Sequence, residues 1–186
     1  FVILRAKNEL MVRLKRLKGV KGDLHQEITL NNGLRIIYHP TLSKVTFCGF
    51  AINVGTRDEM PEESGMAHFI EHLIFKGTEQ RKAFQILNRL SNVGGDLDAF
   101  TNKEDTTVYA TVLNEYFERA LELLCDIVFH STFPIAEIEK ETEVILDEIQ
   151  SYEDTPTELI YDEFENIIFK GHPLGRNILG NAKSIR

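Results

Sequence analysis

The segment from Gly65 to Thr78 places the strongest constraint on how this chain can fold. Its apolar residues recur at helical spacing, it contains no proline and it runs into a glycine, so it predicts a mostly buried helix. His68 and His72 are four residues apart, which places both imidazoles on one face, a turn apart. Glu71 flanks the same face. Such a group suits a Zn²⁺ ion that keeps one coordination position open for water.

The simpler interpretation is that these histidines are ordinary core residues with hydrogen-bond partners. A single histidine in an apolar run usually has that role. Burying three ionisable groups on one face without a metal or a partner, however, costs several kcal/mol. We therefore favour a metal site over a packed helix.

Composition limits the class of protein. The chain has 186 residues, 42% of them hydrophobic and 27% charged, which predicts one globular domain. Its apolar runs are shorter than the roughly 20 residues of a membrane-spanning helix, so we expect a soluble chain without a membrane span. A net charge of −8 argues against nucleic acid as a partner. Cys48 and Cys125 lie in apolar surroundings without C-x-x-C spacing, which favours buried free thiols.

Residues 1–23 differ from the rest in charge. They hold seven basic residues against Glu9 and Asp23, so they predict either a targeting segment or an extension added for expression. They lack the apolar core and cleavage site of a secretory signal, which favours the cytoplasm without identifying a compartment. We expect the folded domain to occupy residues 24–186.

Five strands are predicted from alternation and turn signals. Residues 26–38 predict a hairpin in which Asn32 and Gly33 supply the positive φ angles of the turn. Residues 45–54 are apolar enough to predict a central strand. Residues 96–101 and 106–112 predict two more strands, the second rich in threonine, valine and tyrosine.

The remaining segments have helical periodicity. Ser64 is the predicted N-cap of the histidine helix. Residues 80–92 predict a helix with Phe84, Leu87 and Leu90 on one side. Further helices are predicted from residue 114 to about 130, from Pro134 onwards, and from Thr155 to about Phe169. This order predicts an α+β fold, with a mostly antiparallel sheet of about five strands and helices packed on one face.

A catalytic zinc usually takes three protein ligands, so the histidine helix needs one more from elsewhere. The helix after Pro134 carries several acidic residues, most of which are expected to form a solvated face. Glu141 and Glu148 are seven residues apart and therefore share a face. Glu148 also follows two apolar residues and lies near the predicted buried stripe.

The motif H-x-x-E-H is a zinc-peptidase motif in inverted order. Other short motifs accompany it along the chain: Asn31-Asn32-Gly33-Leu34, Gly55-Thr56-Arg57, Phe75-Lys76-Gly77-Thr78, Gly94-Gly95, Ala99-Phe100-Thr101, Thr107-Val108-Tyr109 and Pro173-Leu174-Gly175. With them the sequence resembles the pitrilysin, insulysin and mitochondrial processing peptidase family of zinc metallopeptidases, in its first domain.

The resemblance implies a role for each polar residue of the predicted site. His68, His72 and Glu148 would be the ligands of one Zn²⁺ ion. Glu71 would be the general base that takes a proton from water and passes it to the leaving amine. Glu141 would hydrogen-bond one of the liganding histidines.

The resemblance also implies how a peptide substrate binds. Residues Asp98, Ala99 and Phe100 would hold it as an added β-strand through main-chain pairing. Asp98 departs from the family pattern, where asparagine is usual, which puts its role in question. Without the resemblance, an exposed edge strand would be the simpler interpretation.

Members of this family build a chamber from two halves, each with two related domains. The sequence is similar to the zinc-bearing first domain, slightly truncated. We therefore expect a zinc endopeptidase domain that is inactive alone and needs a second half or a partner subunit. The alternatives are a non-catalytic partner subunit of a two-subunit peptidase and a zinc hydrolase with a small non-peptide substrate.

Overall fold

The computed structural model describes residues 25–186, so the predicted leader of residues 1–23 lies outside the described residues. The strands are β1 (Gln26–Thr29), β2 (Arg35–Tyr38), β3 (Val45–Ile52), β4 (Asp96–Thr101) and β5 (Thr106–Leu113). The helices are α1 (Met66–Leu73), α2 (Ala83–Ser91), α3 (Phe117–Phe129), α4 (Ile135–Glu153), α5 (Pro156–Ile168) and α6 (Ala182–Ile185). Within residues 25–186, every helix is too short or too polar to cross a membrane.

The five strands form two antiparallel sheets instead of the single sheet that the sequence predicts. β1 pairs only with β2, and the other three strands form a sheet in the order β3-β5-β4. The α+β class and the antiparallel pairing are confirmed. The central position predicted for residues 45–54 is wrong, because β5 pairs with both neighbours and β3 exposes 74% of Phe47 on the open face.

The β1-β2 hairpin turns as predicted, but only one residue of the Asn-Gly pair has a positive φ. Gly33 has φ of 86°. The side chain of Asn32 instead accepts a hydrogen bond from the backbone N–H of Leu34 at 3.2 Å. The hairpin then packs against α3 through Leu30 and Leu121.

Helices α2 and α3 cover one face of the three-stranded sheet. The buried residues of β5 alternate along the strand, as expected for a sheet with one covered face. This core consists mainly of Ile86, Leu90, Val108, Ala110, Val112, Leu123, Leu124 and Ile127. Each large aliphatic side chain buried here contributes about 1.5–3 kcal/mol. Of the three residues predicted to share one side of α2, Leu90 is fully buried, while Phe84 and Leu87 are 61% and 56% exposed.

A second core holds the histidine helix against the long helix α4. Phe69 and Leu73 of α1 pack on Ile145 and Ile149 of α4, and Ile185 of α6 closes the cluster. These contacts lie on the apolar side of α1, which leaves its polar residues facing the acidic side chains of α4. The packing of two helices therefore positions the site.

Within residues 25–186 neither Cys48 nor Cys125 forms a disulfide, as predicted. Cys125 is buried and Cys48 is half-buried. Burial, together with the nearby Cys125, raises the pKa of Cys48 to about 11. A thiol with so high a pKa is a poor nucleophile and a poor metal ligand at neutral pH.

Candidate metal centre

Gly65 is the N-cap of helix α1, and a carboxylate from outside the helix holds the first turn. Gly65 has φ of 92°, in the left-handed region that favours glycine. A Cβ at this position would lie 2.6 Å from the Leu179 carbonyl oxygen. The Glu59 carboxylate accepts hydrogen bonds from the N–H groups of Gly65 at 2.9 Å and Ala67 at 2.8 Å. The predicted Ser64 cap is therefore wrong, since Glu59 satisfies these exposed helix donors.

The two histidines of α1 converge on one carboxylate of α4. His68 Nε2 lies 3.8 Å from Glu148 Oε1, and His72 Nε2 lies 3.6 Å from Glu148 Oε2. The two imidazole rings have centroids 4.7 Å apart. One ligand atom from each of the three residues lies within 4.8 Å of the others. This is the group that the sequence and its family resemblance bring together.

These separations fit a shared metal ion better than direct hydrogen bonds. At 3.6 and 3.8 Å the atoms are too far apart for a good hydrogen bond. Two ligands at about 2.1 Å from a tetrahedral zinc ion lie roughly 3.4 Å from each other. The two separations from Glu148 are close to this value.

The protonation of His68 and the orientation of His72 also suit a metal. Burial, with the neighbouring His72, lowers the pKa of His68 to about 4, so this ring is neutral at neutral pH. His72 Nδ1 lies 3.1 Å from the Glu141 carboxylate, which directs its other nitrogen towards Glu148. Within the described residues, buried His68 Nδ1 has no hydrogen-bond partner. A neutral ring with Nε2 turned towards Glu148 is the form in which His68 would bind a metal ion.

Glu71 lies beside this group without belonging to it. Its Oε2 accepts a hydrogen bond from the Thr101 hydroxyl at 2.5 Å. Burial raises the pKa of Glu71 above its ordinary value, and the nearby carboxylates of Asp98 and Glu148 act in the same direction. Thr101 and His72 partly offset this by lowering it. A carboxylate with a raised pKa accepts and releases protons more readily near neutral pH.

Glu141 is almost fully buried and has two cationic or proton-donating partners. It is 6% exposed, and it contacts His72 Nδ1 at 3.1 Å and Lys76 Nζ at 2.6 Å. Burial raises the pKa of Glu141, but Lys76 and His72 outweigh it and hold that pKa below its ordinary value. Glu141 is therefore the ionised hydrogen-bond acceptor of His72.

Comparison with known sequences identifies the family. The sequence profile of the insulinase family, peptidase family M16, matches residues 35–182, which is most of the chain. The chain belongs to this family. An uncharacterized zinc protease of Bacillus subtilis is 41% identical over 159 residues, covering 84% of this chain and 39% of that protein. A probable mitochondrial-processing peptidase subunit beta of Arabidopsis thaliana is 41% identical, covering 85% of this chain and 30% of that protein.

A solved structure supports the same assignment. A protease from Helicobacter pylori superposes with a TM-score of 0.83 at 26% identity, covering 88% of this chain and 40% of the other. The family resemblance stated from the sequence is thus confirmed. The chain spans about two fifths or less of the length of these insulinase-family relatives.

The strand assigned to substrate binding lies at an edge of the described three-stranded sheet. In β4, Ala99 is buried while Phe100 is 44% exposed beside Tyr109. Asp98 accepts a hydrogen bond from the Tyr109 hydroxyl at 3.1 Å. Thr101, at the end of the same strand, contacts Glu71. In this member of the insulinase family, one end of β4 therefore lies next to the candidate general base.

Sequence reasoning missed three polar residues around the insulinase-family site. They are Glu59 at the start of α1, Lys76 beside Glu141, and Thr101 beside Glu71. Each acts across a distance in sequence that hydrophobic periodicity does not report. A usable signal existed only for Lys76, because a buried carboxylate requires a nearby cation.

Proposed function

We propose that this chain is the zinc-bearing domain of an insulinase-family endopeptidase. The observation that carries the proposal is the convergence of His68 Nε2, His72 Nε2 and the Glu148 carboxylate at 3.6–3.8 Å. Two imidazoles and one carboxylate form the donor set of many catalytic zinc sites. Family membership supports the same chemistry, since relatives over 40% identical include a zinc protease.

The proposed reaction is hydrolysis of a peptide bond by an activated water molecule. A zinc ion at this site would lower the pKa of the attacking water and polarise the peptide carbonyl. Glu71 accepts the proton from water and later donates it to the leaving amine. Thr101 holds Oε2 of Glu71, so the proton transfers use the other oxygen. Glu141 keeps His72 oriented through Nδ1.

The peptide substrate is proposed to bind as an added strand along β4, next to Asp98, Ala99 and Phe100. An edge strand offers main-chain donors and acceptors to an extended peptide. The Thr101–Glu71 hydrogen bond supports this assignment, because it brings the end of that edge to the general base.

We further propose that residues 24–186 form one domain of a larger chamber, completed by a second half or a partner subunit. The support is that the chain spans 39% of its Bacillus subtilis relative. On this view the chain alone binds zinc and cleaves peptides poorly.

The experiment measures metal content and cleavage separately. We expect the purified chain to bind a single zinc ion per molecule, as determined by inductively coupled plasma mass spectrometry. The full-length gene product should cleave a peptide library, and a zinc chelator should abolish this. Glu71→Gln should retain zinc and slow cleavage about a hundredfold to ten-thousandfold. A full-length protein that binds zinc without cleaving any peptide would contradict the endopeptidase and favour the non-catalytic subunit.

A further inference from the structure

We propose that Lys76 is a positioning residue of the metal centre, which acts through Glu141 to hold His72 in its liganding orientation. The inference rests on the proposed zinc function of the same site. It assigns a role to a side chain outside the metal-binding helix and outside the motif H-x-x-E-H.

Lys76 contacts a carboxylate that is almost fully buried. Glu141 is 6% exposed, and Lys76 Nζ contacts its Oε1 at 2.6 Å. An ionised carboxylate without a partner in such a place would cost several kcal/mol. The other contact of Glu141, with His72 Nδ1, is longer at 3.1 Å. Within the described residues, Lys76 is the only lysine or arginine in ion-pair contact with Glu141.

The contacts of Glu141 also fix the orientation of its carboxylate. The two oxygens of Glu141 are divided between two partners, with Oε1 near Lys76 and Oε2 near His72 Nδ1. A carboxylate held at both oxygens cannot rotate freely about its last bond. The plane of the carboxylate is therefore fixed, and with it the direction of the His72 ring.

Glu141 also brings a negative charge to within 3.1 Å of His72, a proposed metal ligand. The ammonium of Lys76, 2.6 Å from the same carboxylate, compensates this charge. Lys76 thus adjusts the charge of the site without supplying a ligand, which keeps a coordination position open for chemistry.

The backbone around Lys76 is held by hydrogen bonds. Its own N–H donates to the Leu73 carbonyl at 3.0 Å, which turns the chain back after α1. Gly77 and Thr78 then make isolated β-bridges to Lys82 and Ser131. A lysine on so fixed a segment loses less conformational entropy on forming its ion pair.

The test is a double-mutant cycle on zinc affinity, measured by competition with a chelator. Lys76→Met should weaken zinc binding about ten- to hundredfold, the usual effect of losing a partner of a metal ligand. Lys76→Arg should keep most of the affinity. In a Glu141→Gln background, Lys76→Met should change affinity less than about twofold, because Lys76 acts through Glu141.

The matched control is Lys140→Met. Lys140 makes an ion pair of the same length, 2.6 Å, with Glu137 on α4, but its side chain is 67% exposed. This control should leave zinc affinity unchanged. Equal zinc affinity of Lys76→Met and the unmodified chain would overturn the inference while leaving the metal centre intact. Failure of the unmodified chain to bind zinc would overturn both.

A measurement on the unmodified chain avoids any problem of variant folding. In the zinc-loaded chain, nuclear magnetic resonance should detect the Lys76 ammonium protons as slowly exchanging with water. A Lys76 ammonium that exchanges as fast as that of Lys140 would overturn the inference.

Discussion

One short segment, Lys76 to Thr78, contacts two buried carboxylates that serve different purposes. Lys76 pairs with Glu141 on α4, and the Thr78 hydroxyl donates to Asp126 on α3 at 2.8 Å. Glu141 and Asp126 are 6% and 3% exposed. Both also have a basic residue in contact, Lys76 in the first case and Arg81 in the second.

The difference lies in where the partners lead. The second partner of Glu141 is His72, whose other nitrogen faces Glu148 across a gap of 3.6 Å. Arg81, the partner of Asp126, instead donates from its Nη2 group to Glu122 at 2.7 Å. The first network ends at the donor atoms of the proposed metal site. The second contacts Glu122 through Arg81 and lies near His130, whose Nδ1 is 3.6 Å from Asp126 Oδ1. Of these two buried carboxylates, only Glu141 contacts a residue of the proposed metal site.

The largest expected effect is on the stability of the fold, and it should follow the loss of Asp126. Asp126→Asn should lower the free energy of unfolding by about 3 kcal/mol, because Arg81 loses its buried counter-charge. Zinc affinity should remain unchanged. Urea unfolding of the metal-free chain measures the first, and chelator competition the second. Asp147→Asn, at an exposed position of α4, is the control and should affect neither. A large loss of zinc affinity in Asp126→Asn would contradict this prediction, because it would show that Asp126 also supports the metal site.

The next largest effect is expected on replacing Glu148, the proposed carboxylate ligand. Zinc sites with four protein ligands release about 10–16 kcal/mol, so losing one ligand costs about 3 kcal/mol, or about a hundredfold in affinity. Glu148→Gln should show this loss, and a given zinc concentration should raise its melting temperature less than that of the unmodified chain. Glu143→Gln, exposed on the same helix, should behave like the unmodified chain. Chelator competition and thermal unfolding with and without zinc provide the measurements.

Two threonine hydroxyls extend the comparison, since each donates to one carboxylate. Thr101 contacts Glu71 at 2.5 Å and Thr78 contacts Asp126 at 2.8 Å. Thr101→Val should lower kcat of the full-length protein about tenfold, the value of one hydrogen bond to a charged group. Its zinc affinity should stay the same. Thr101→Ser, which keeps the hydroxyl, should restore kcat, and equal kcat in the Val and Ser variants would contradict the assignment.

The smallest effect is expected at the second hydroxyl. Thr78→Val should cost about 1 kcal/mol in the free energy of unfolding, because Arg81 still satisfies Asp126. Neither zinc affinity nor kcat should change by more than about twofold. Urea unfolding beside the Thr78→Ser variant measures the difference. An effect on kcat as large as that of Thr101→Val would show that the two networks are coupled.

The sequence predicts those parts of the molecule that depend on local spacing. The helical face shared by His68 and His72 follows from a separation of four residues, and the β1-β2 hairpin follows from its turn residues. Glu148 and Glu141 were candidates by spacing alone, and only the family resemblance assigned their roles. Spacing places a residue on a helix face but does not say which other helix that face meets.

The predictions that are wrong concern contacts between distant segments. Ser64 was the nearest plausible cap for α1, but Glu59 reaches the helix from an earlier turn. The apolar composition of β3 indicates a strand without reporting that one of its faces stays open. Phe84 and Leu87 have the periodicity of a core but lie on the outer side of α2. In each case tertiary packing decides between alternatives that are equivalent in sequence.

The hydrogen bond between Thr101 and Glu71 has a consequence for the register in which a peptide would bind along β4. Neighbouring residues of β4 point to opposite sides, as Ala99 and Phe100 do. A peptide added to this edge shares the alternation, and sliding it by one residue exchanges the sides of all its side chains. In the proposed binding mode, main-chain pairing with β4 therefore determines which peptide bond lies at the site. Methylating a single pairing amide of the peptide should slow cleavage more than replacing the side chain beside it.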